Sequence, residues 1–90
     1  FNRLNLPFSA NDGIIEILRT AKDIKVAALF KEVKKNIYKV SLRSSDESVN
    51  VASVAEIFGG GGHKMASAYV AEGDLKKSVA ELDKAISNNH

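Results

Sequence analysis

The stretch NVASVAEIFGGGGHKMASAYVAEG, residues 50–73, decides how this chain folds. Asn50 suits the N-cap of a short helix whose apolar residues recur at helical spacing. Gly59 is expected to end that helix, because a left-handed residue is favoured directly after the last turn. Gly60 to Lys64 is predicted to be a loop, and Ala66 to Glu72 is predicted to be a strand.

Upstream of this stretch, two strands are predicted with a short polar turn between them. The segment from Ile24 to Val33 is nearly all apolar at its centre, which is typical of a strand covered on both faces. The segment from Ile37 to Ser44 alternates cleanly between apolar and polar residues. Its polar side chains, Lys39, Ser41 and Arg43, are therefore expected to share one solvent-exposed face.

Helices are predicted towards both ends of the chain. A helix capped by Asn11 or Asp12 and running through about Lys22 is predicted from apolar residues at helical spacing. A second helix, capped by Asp74, is predicted to follow the last strand. The resulting order is α-β-β-α-β-α. It defines an α+β domain in which helices pack against a mixed β-sheet.

Composition narrows the classes of function. The chain has 90 residues, which suffices for one small domain, and its content of 44% apolar and 27% charged residues is typical of a soluble protein. The absence of cysteine excludes disulfides, zinc ribbons and thiol nucleophiles. A net charge of +2 is too small for a domain that binds a long duplex through its phosphates, but it is compatible with binding a small anion or a short single strand. We expect a cytoplasmic protein without a membrane span.

The glycine run is the segment that most strongly suggests chemistry. It comprises Gly59, Gly60, Gly61 and Gly62. Each glycine costs about 0.5–1 kcal/mol relative to alanine in regular structure, and close approach of the backbone to an anion would offset that cost. His63 and Lys64 would add a titratable donor and a cation. The alternative interpretation is a tight connector beside a surface histidine. A P-loop is excluded, because its lysine follows a glycine and precedes serine or threonine.

Two further residues bracket the short helix that leads into the glycines. Arg43 ends its strand beside Ser44, and a guanidinium with a neighbouring hydroxyl suits a phosphate oxygen. Asn50 opens the helix. Taken alone, Arg43 is more often a solvated strand residue and Asn50 a cap, but together with the glycine run they favour an anion site. No metal site is predicted, because His63 has no partner at ligand spacing.

A cluster of lysines surrounds the predicted hairpin. It comprises Lys31, Lys34, Lys35 and Lys39. Such a cluster is typical of a solvated edge that discourages aggregation between strands. A role in binding nucleic acid is the alternative.

Three segments together resemble the DHH-associated domain, which follows the Asp-His-His catalytic domain of DHH phosphoesterases. They are Leu42-Arg43-Ser44-Ser45, Val49-Asn50-Val51-Ala52 and Ile57-Phe58-Gly59-Gly60-Gly61-Gly62-His63 with Ala66. The closest likeness is to the nanoRNase/phosphoadenosine-phosphate phosphatase branch and to cyclic-dinucleotide phosphodiesterases. The likeness is good from Ile24 to Gly73. The family often has two small residues and a glycine after the histidine, whereas this chain has Ala66-Ser67-Ala68, which leaves the substrate preference open.

The resemblance implies that residues 1–90 are the substrate-binding domain of a longer phosphoesterase. It implies a manganese-dependent phosphodiesterase or exoribonuclease whose two metal ions lie in the catalytic domain. This chain has no Asp-His-His motif, so alone it is expected to be inactive, with no catalytic residue, metal ligand or cofactor. The implied substrate contacts are Arg43, Ser44, Asn50, Gly59, Gly60, Gly61, Gly62 and His63.

The resemblance also implies the partners. They are short RNA or nucleotide phosphates and the catalytic domain of the same parent chain, with no membrane, while a homodimer is left open. Two alternatives remain. One is a tRNA-engaging appended domain related to that of alanyl-tRNA synthetases, and the other is a non-catalytic interaction domain.

Overall fold

The structure is a computed structural model that describes residues 14–21, 24–46 and 48–88. Within these residues the element order is β-β-β-α-β-β-α. The strands are β1 (Ile14–Ala21), β2 (Ile24–Lys34), β3 (Ile37–Ser44), β4 (Gly61–His63) and β5 (Ala66–Glu72), and the helices are α1 (Val51–Ile57) and α2 (Leu75–Asn88). The predicted α+β class is confirmed. Neither of these helices has the length and apolar character needed to cross a bilayer.

The five strands form one sheet in the order β1-β2-β3-β5-β4. Every neighbouring pair is antiparallel, so the prediction of a mixed sheet is corrected to an antiparallel one. For the β1–β2, β2–β3 and β4–β5 pairs this follows from the short turns that join them, because strands joined in this way can only run antiparallel. β4 and β5 form a tight hairpin in which His63 pairs with Ala66.

The two faces of the sheet differ in what covers them. On the inner face, Phe30, Val40 and Leu42 are fully buried against apolar residues of α1 and α2. On the outer face, no described helix covers the strands, and Leu18, Leu29, Val33 and Val70 are exposed. The prediction that both faces of β2 are covered is therefore wrong for the described part of the chain. We call this surface the open face.

The first described element is a strand, whereas the sequence pattern favoured a helix from Asn11 or Asp12 through Lys22. Those three positions lie outside the described residues, but residues 14–21 form β1 and pair with β2. The pattern IIEILRTA has apolar residues at helical spacing and does not alternate strictly between apolar and polar residues. It is rich in β-branched residues, which favour the pleated surface of a sheet. Pairing with β2 therefore outweighs a weak helical periodicity.

A second difference concerns residues 61–63, which were predicted to be loop and form β4. Glycine is depleted in strands, because it loses much conformational entropy there and offers no side chain to pack. Here β5 supplies a partner along all three residues. The strand that was missed thus depends on tertiary pairing and not on local propensity.

A buried ion pair joins the sheet to the last helix. Nε of Arg19 lies 3.0 Å from Oδ1 of Asp83, and Nη2 of Arg19 donates to Oγ of Ser87 at 2.7 Å. The Arg19 side chain is only 6% exposed, so this charge is held inside the domain. The pair therefore fixes α2 over β1.

A buried tyrosine packs at the other end of the inner face. The ring of Tyr69 stacks on that of Phe58 with centroids 4.7 Å apart. Its hydroxyl is buried and has no hydrogen-bond partner among the described residues. Burial raises the pKa of Tyr69 above its ordinary value of 10.0, and the charge of Glu81 raises it further. The folded state therefore favours the neutral phenol.

We expect the free energy of unfolding to fall in alkaline solution. We expect this decrease to be much smaller in the Tyr69→Phe variant. Because the folded-state pKa is raised, the contribution of neutral Tyr69 is complete below about pH 10 and is lost as the pH rises above it. Urea midpoints at about pH 8 and about pH 11 measure the effect. Tyr38→Phe is the matched control, although its own raised pKa, mainly from burial, predicts a smaller change. Equal alkaline losses in wild type and Tyr69→Phe would contradict the expectation.

Candidate ligand-binding site

The site begins with two residues that the sheet brings into one row. Arg43 pairs with Ala66 across β3 and β5, and Ala66 pairs with His63 across β5 and β4. Residues directly opposite each other in a sheet share a face, so Arg43 and His63 both lie on the open face. Two strand spacings put their Cα atoms about 10 Å apart. The small side chain of Ala66 leaves a shallow space between them.

Three hydrogen bonds pin the β4–β5 turn that carries His63. The N–H of Ser44, at the end of β3, donates to the carbonyl oxygen of Met65 at 3.0 Å. The N–H of Val51, at the start of α1, donates to the carbonyl oxygen of Lys64 at 2.9 Å. Oγ of Ser67 donates to the carbonyl oxygen of Val51 at 2.7 Å in a buried position. The turn is thus tied to both the strand and the helix that flank it.

Two of the predicted contacts are engaged in local structure. Ser44 is buried, and its hydroxyl donates to the carbonyl oxygen of Asp46 at 2.6 Å. The alternation along β3 puts Ser44 on the inner face, away from its neighbour Arg43. The carboxamide oxygen of Asn50 accepts from the N–H of Ser53 at 3.1 Å, which confirms Asn50 as the N-cap of α1. The structure does not bring Ser44 together with Arg43 and His63.

The four glycines differ in what their positions require. Gly59 has a φ of +86°, in the left-handed region, which confirms it as the residue that ends the helix. A Cβ on Gly60 would overlap the carbonyl oxygen of Ala68, and a Cβ on Gly62 would lie 2.6 Å from Cα of Ser67. These glycines are therefore demanded by the fold. A Cβ on Gly61 would meet no atom within 4 Å.

The predicted convergence of glycine N–H groups on an anion does not occur in this structure. The N–H of Gly59 donates to the carbonyl oxygen of Glu56 at 3.1 Å, and that of Gly60 donates to Ala55 at 2.8 Å. Residues 61–63 are extended, and an extended strand directs successive N–H groups to alternate sides. Gly61 shares the open face with Arg43 and His63, because it pairs with Ala68, two residues along β5 from Ala66.

The charges at this end of the open face are not neutralised by the described residues. The side chains of Arg43 and His63 are exposed and form no ion pair or hydrogen bond with them. The pKa of the nearby Asp46 carboxyl is lowered, mainly by a hydrogen bond from the backbone N–H of Ser48. That carboxylate is thus committed to its own turn. A phosphate is the natural complement of an unpaired guanidinium.

Metal chemistry has no donor set among the residues described here. No three His, Asp or Glu side chains in ranges 14–21, 24–46 and 48–88 converge so as to hold a metal ion. His63 lies next to Ala66, with Arg43 on the other side of that alanine.

Fold and site together define a small α+β domain that presents a cation, an imidazole and a side-chain-free strand residue on an uncovered sheet face. The family model described as the DHHA1 domain matches residues 5–88 of this chain. The chain therefore belongs to the DHHA1 family, the DHH-associated domain of DHH-family phosphoesterases. In the parent proteins this domain is appended to a DHH catalytic domain.

Proposed function

We propose that this chain is the substrate-binding domain of a DHH-family phosphoesterase that hydrolyses short oligoribonucleotides, phosphoadenosine phosphate or cyclic dinucleotides. The observation that carries the proposal is the row in which Arg43 and His63 flank Ala66 on the open face. Neither side chain has a hydrogen-bond or ion-pair partner among the described residues. A phosphoester bridging the two would supply the missing acceptor.

The roles of the individual residues follow from their chemistry. The guanidinium of Arg43 offers a planar fork that binds two phosphate oxygens at once. The imidazole of His63 donates a further hydrogen bond. Gly61 lets the ligand approach the backbone closely, because no side chain stands between them. Asn50, Gly60 and the other glycines support the site by holding the backbone around it in place.

The reaction itself belongs to the catalytic domain. When bound there, two manganese ions would activate the attacking water and stabilise the charge that develops on the phosphoester. The described residues of this chain offer no ligand set for those ions. Its own contribution is to bind and orient the substrate across the cleft. Orientation of a bound substrate alone can lower a barrier by several kcal/mol.

A titration followed by NMR tests the proposal. Addition of a 5′-phosphorylated diribonucleotide, or of phosphoadenosine phosphate, is expected to shift the amide signals of Arg43 and residues 61–64. Half of a cleft with modest charge is expected to bind at about millimolar affinity, near 4 kcal/mol. The tighter of the two ligands indicates the substrate class. Shifts spread evenly over the sheet and helices would contradict a localised site.

Arg43→Gln is expected to weaken binding of either ligand by about tenfold or more. A charge-assisted hydrogen bond contributes about 1.5–3 kcal/mol, and 1.4 kcal/mol corresponds to a factor of ten. The variant removes the charge while keeping a side chain of similar length. Lys76→Gln is the matched control, because Lys76 is exposed on α2, which packs against the opposite face of the sheet. Equal losses in the two variants would mean that general charge, and not Arg43, holds the ligand.

A further inference from the structure

A pair of lysines lies directly opposite each other on the open face. Lys31 of β2 pairs with Lys39 of β3, and both side chains are exposed. Like charges in directly opposed positions destabilise a sheet. Glu16 and Glu72 occupy diagonal positions, yet neither forms an ion pair with the lysines. Within the described chain, two unneutralised cations are therefore held side by side.

Protection of a sheet edge does not account for this pair. Charged side chains commonly guard edge strands against pairing with another chain. β2 and β3 are not edge strands, since each has a neighbour on both sides in the order β1-β2-β3-β5-β4. That explanation suits Lys34 and Lys35 at the hairpin end, but it leaves Lys31 and Lys39 unexplained.

The lysine pair shares its face with the Arg43–His63 row. Lys39 and Arg43 are four residues apart on β3, which is about 13 Å along the strand. A shallow, largely apolar depression borders Lys39 and reaches Ala68, one row along the sheet from Arg43 and His63. It is bordered by Val33, Lys39, Phe58, Gly60, Ala68 and Val70. One surface thus offers two cationic groups and an apolar depression that extends from the second group towards the first.

We propose that Lys31 and Lys39 form a second phosphate subsite, so that the open face binds a short single strand through more than one of its phosphates. The first phosphate contacts Arg43 and His63, a nucleoside lies over the apolar depression, and a later phosphate reaches the lysine pair. This inference rests on the proposed function. It adds that affinity depends on strand length, which favours oligoribonucleotides over phosphoadenosine phosphate.

The test compares ligand lengths in the presence and absence of the lysine pair. The probes are adenosine monophosphate and a 5′-phosphorylated triribonucleotide, titrated into the chain and followed by NMR. Wild type is expected to bind the triribonucleotide about tenfold more tightly than the mononucleotide. The Lys31→Gln/Lys39→Gln double variant is expected to lose that advantage while binding the mononucleotide as before. Lys76→Gln/Lys77→Gln on α2 carries the same change in charge and is expected to keep the advantage.

Salt dependence supplies a second readout. Each phosphate contact with a single strand contributes about 0.7 to the slope of log affinity against log salt. Loss of the one phosphate contact made by the lysine pair is therefore expected to lower the slope for the triribonucleotide by about 0.7 in the Lys31→Gln/Lys39→Gln variant. An unchanged slope together with unchanged affinity overturns the second subsite.

The outcomes separate this inference from the proposed function. If the triribonucleotide binds wild type and the Lys31→Gln/Lys39→Gln variant equally, with shifts still at Arg43 and His63, the second subsite is wrong and the proposed function stands. If the control variant loses as much as the lysine-pair variant, net charge explains the length dependence and the subsite is again wrong. If neither probe shifts Arg43 or His63, the proposed function and this inference fall together.

Discussion

Gly60→Ala is expected to lower the free energy of unfolding by about 3 kcal/mol, the upper end of the usual cost of overpacking. The new methyl group would overlap the carbonyl oxygen of Ala68 and lie 2.5 Å from Cβ of Tyr69. Both contacts are close to the backbone of β5, so no flexible side chain can move aside. Relief requires β5 or the end of α1 to shift. That shift would strain the hydrogen bond from Gly60 N–H to the carbonyl oxygen of Ala55.

Thermal unfolding measures this loss, and Gly61→Ala is the matched control one residue away. A cost of 3 kcal/mol corresponds to a drop in Tm of about 12–24 °C for a domain of this size. Gly61→Ala is expected to leave Tm nearly unchanged, because its methyl group would meet no atom within 4 Å. It is expected instead to weaken binding of the nucleotide probes. Equal Tm values for the two variants would refute the assignment of Gly60 to the fold and Gly61 to the ligand.

Arg19→Met is expected to cost about 2–3 kcal/mol of stability. The variant keeps much of the apolar volume but removes the ion pair with Asp83 and the hydrogen bond to Ser87. Removing one partner of a fully buried pair costs about 3–5 kcal/mol, because the other charge is left without compensation. Asp83 is 26% exposed, so water recovers part of that loss. The expected cost is therefore below the fully buried range.

Urea denaturation of a double-mutant cycle isolates the contribution of the pair. The cycle comprises Arg19→Met, Asp83→Asn and the double variant, and the two single changes are expected to be non-additive. Lys84→Met, at an exposed position next to Asp83 on α2, is the matched control and is expected to change little. Additive losses from Arg19→Met and Asp83→Asn would show that the two side chains do not depend on each other.

The sequence was sufficient to predict those features of the fold that depend on interactions between residues close together in the chain. Asn50 was identified as a cap and Gly59 as a helix end, because an N-cap carboxamide and a left-handed glycine act within a few residues. The bounds of β3 and β5 were also predicted, since β3 alternates and both strands end at turns. β1 was not predicted, because its apolar residues fit helical spacing and do not alternate. Its strand conformation depends on pairing with β2.

The site could be predicted in part only. Arg43 and His63 were selected because their residue types suit a phosphate, but their common row depends on the register of β3, β5 and β4. The glycine run was interpreted as a nest for an anion. In the fold, Gly60 and Gly62 instead allow close packing against β5. Likewise, Lys39 was predicted to share a face with Arg43, but only the register of β2 puts Lys31 beside it.

The proposed binding groups, Arg43 and His63, stand on paired strands, and the β4–β5 turn is hydrogen-bonded to both flanking elements. Their separation is therefore set when the domain folds, before any ligand arrives. Little backbone entropy is left to lose on binding at these positions, which is the advantage of a preorganised site. Such a site would distinguish between ligands by the fixed distance between its binding groups, and not by closing around the ligand. In the proposed enzyme, opening and closing around the substrate would then come from rigid-body movement of this domain against the catalytic domain.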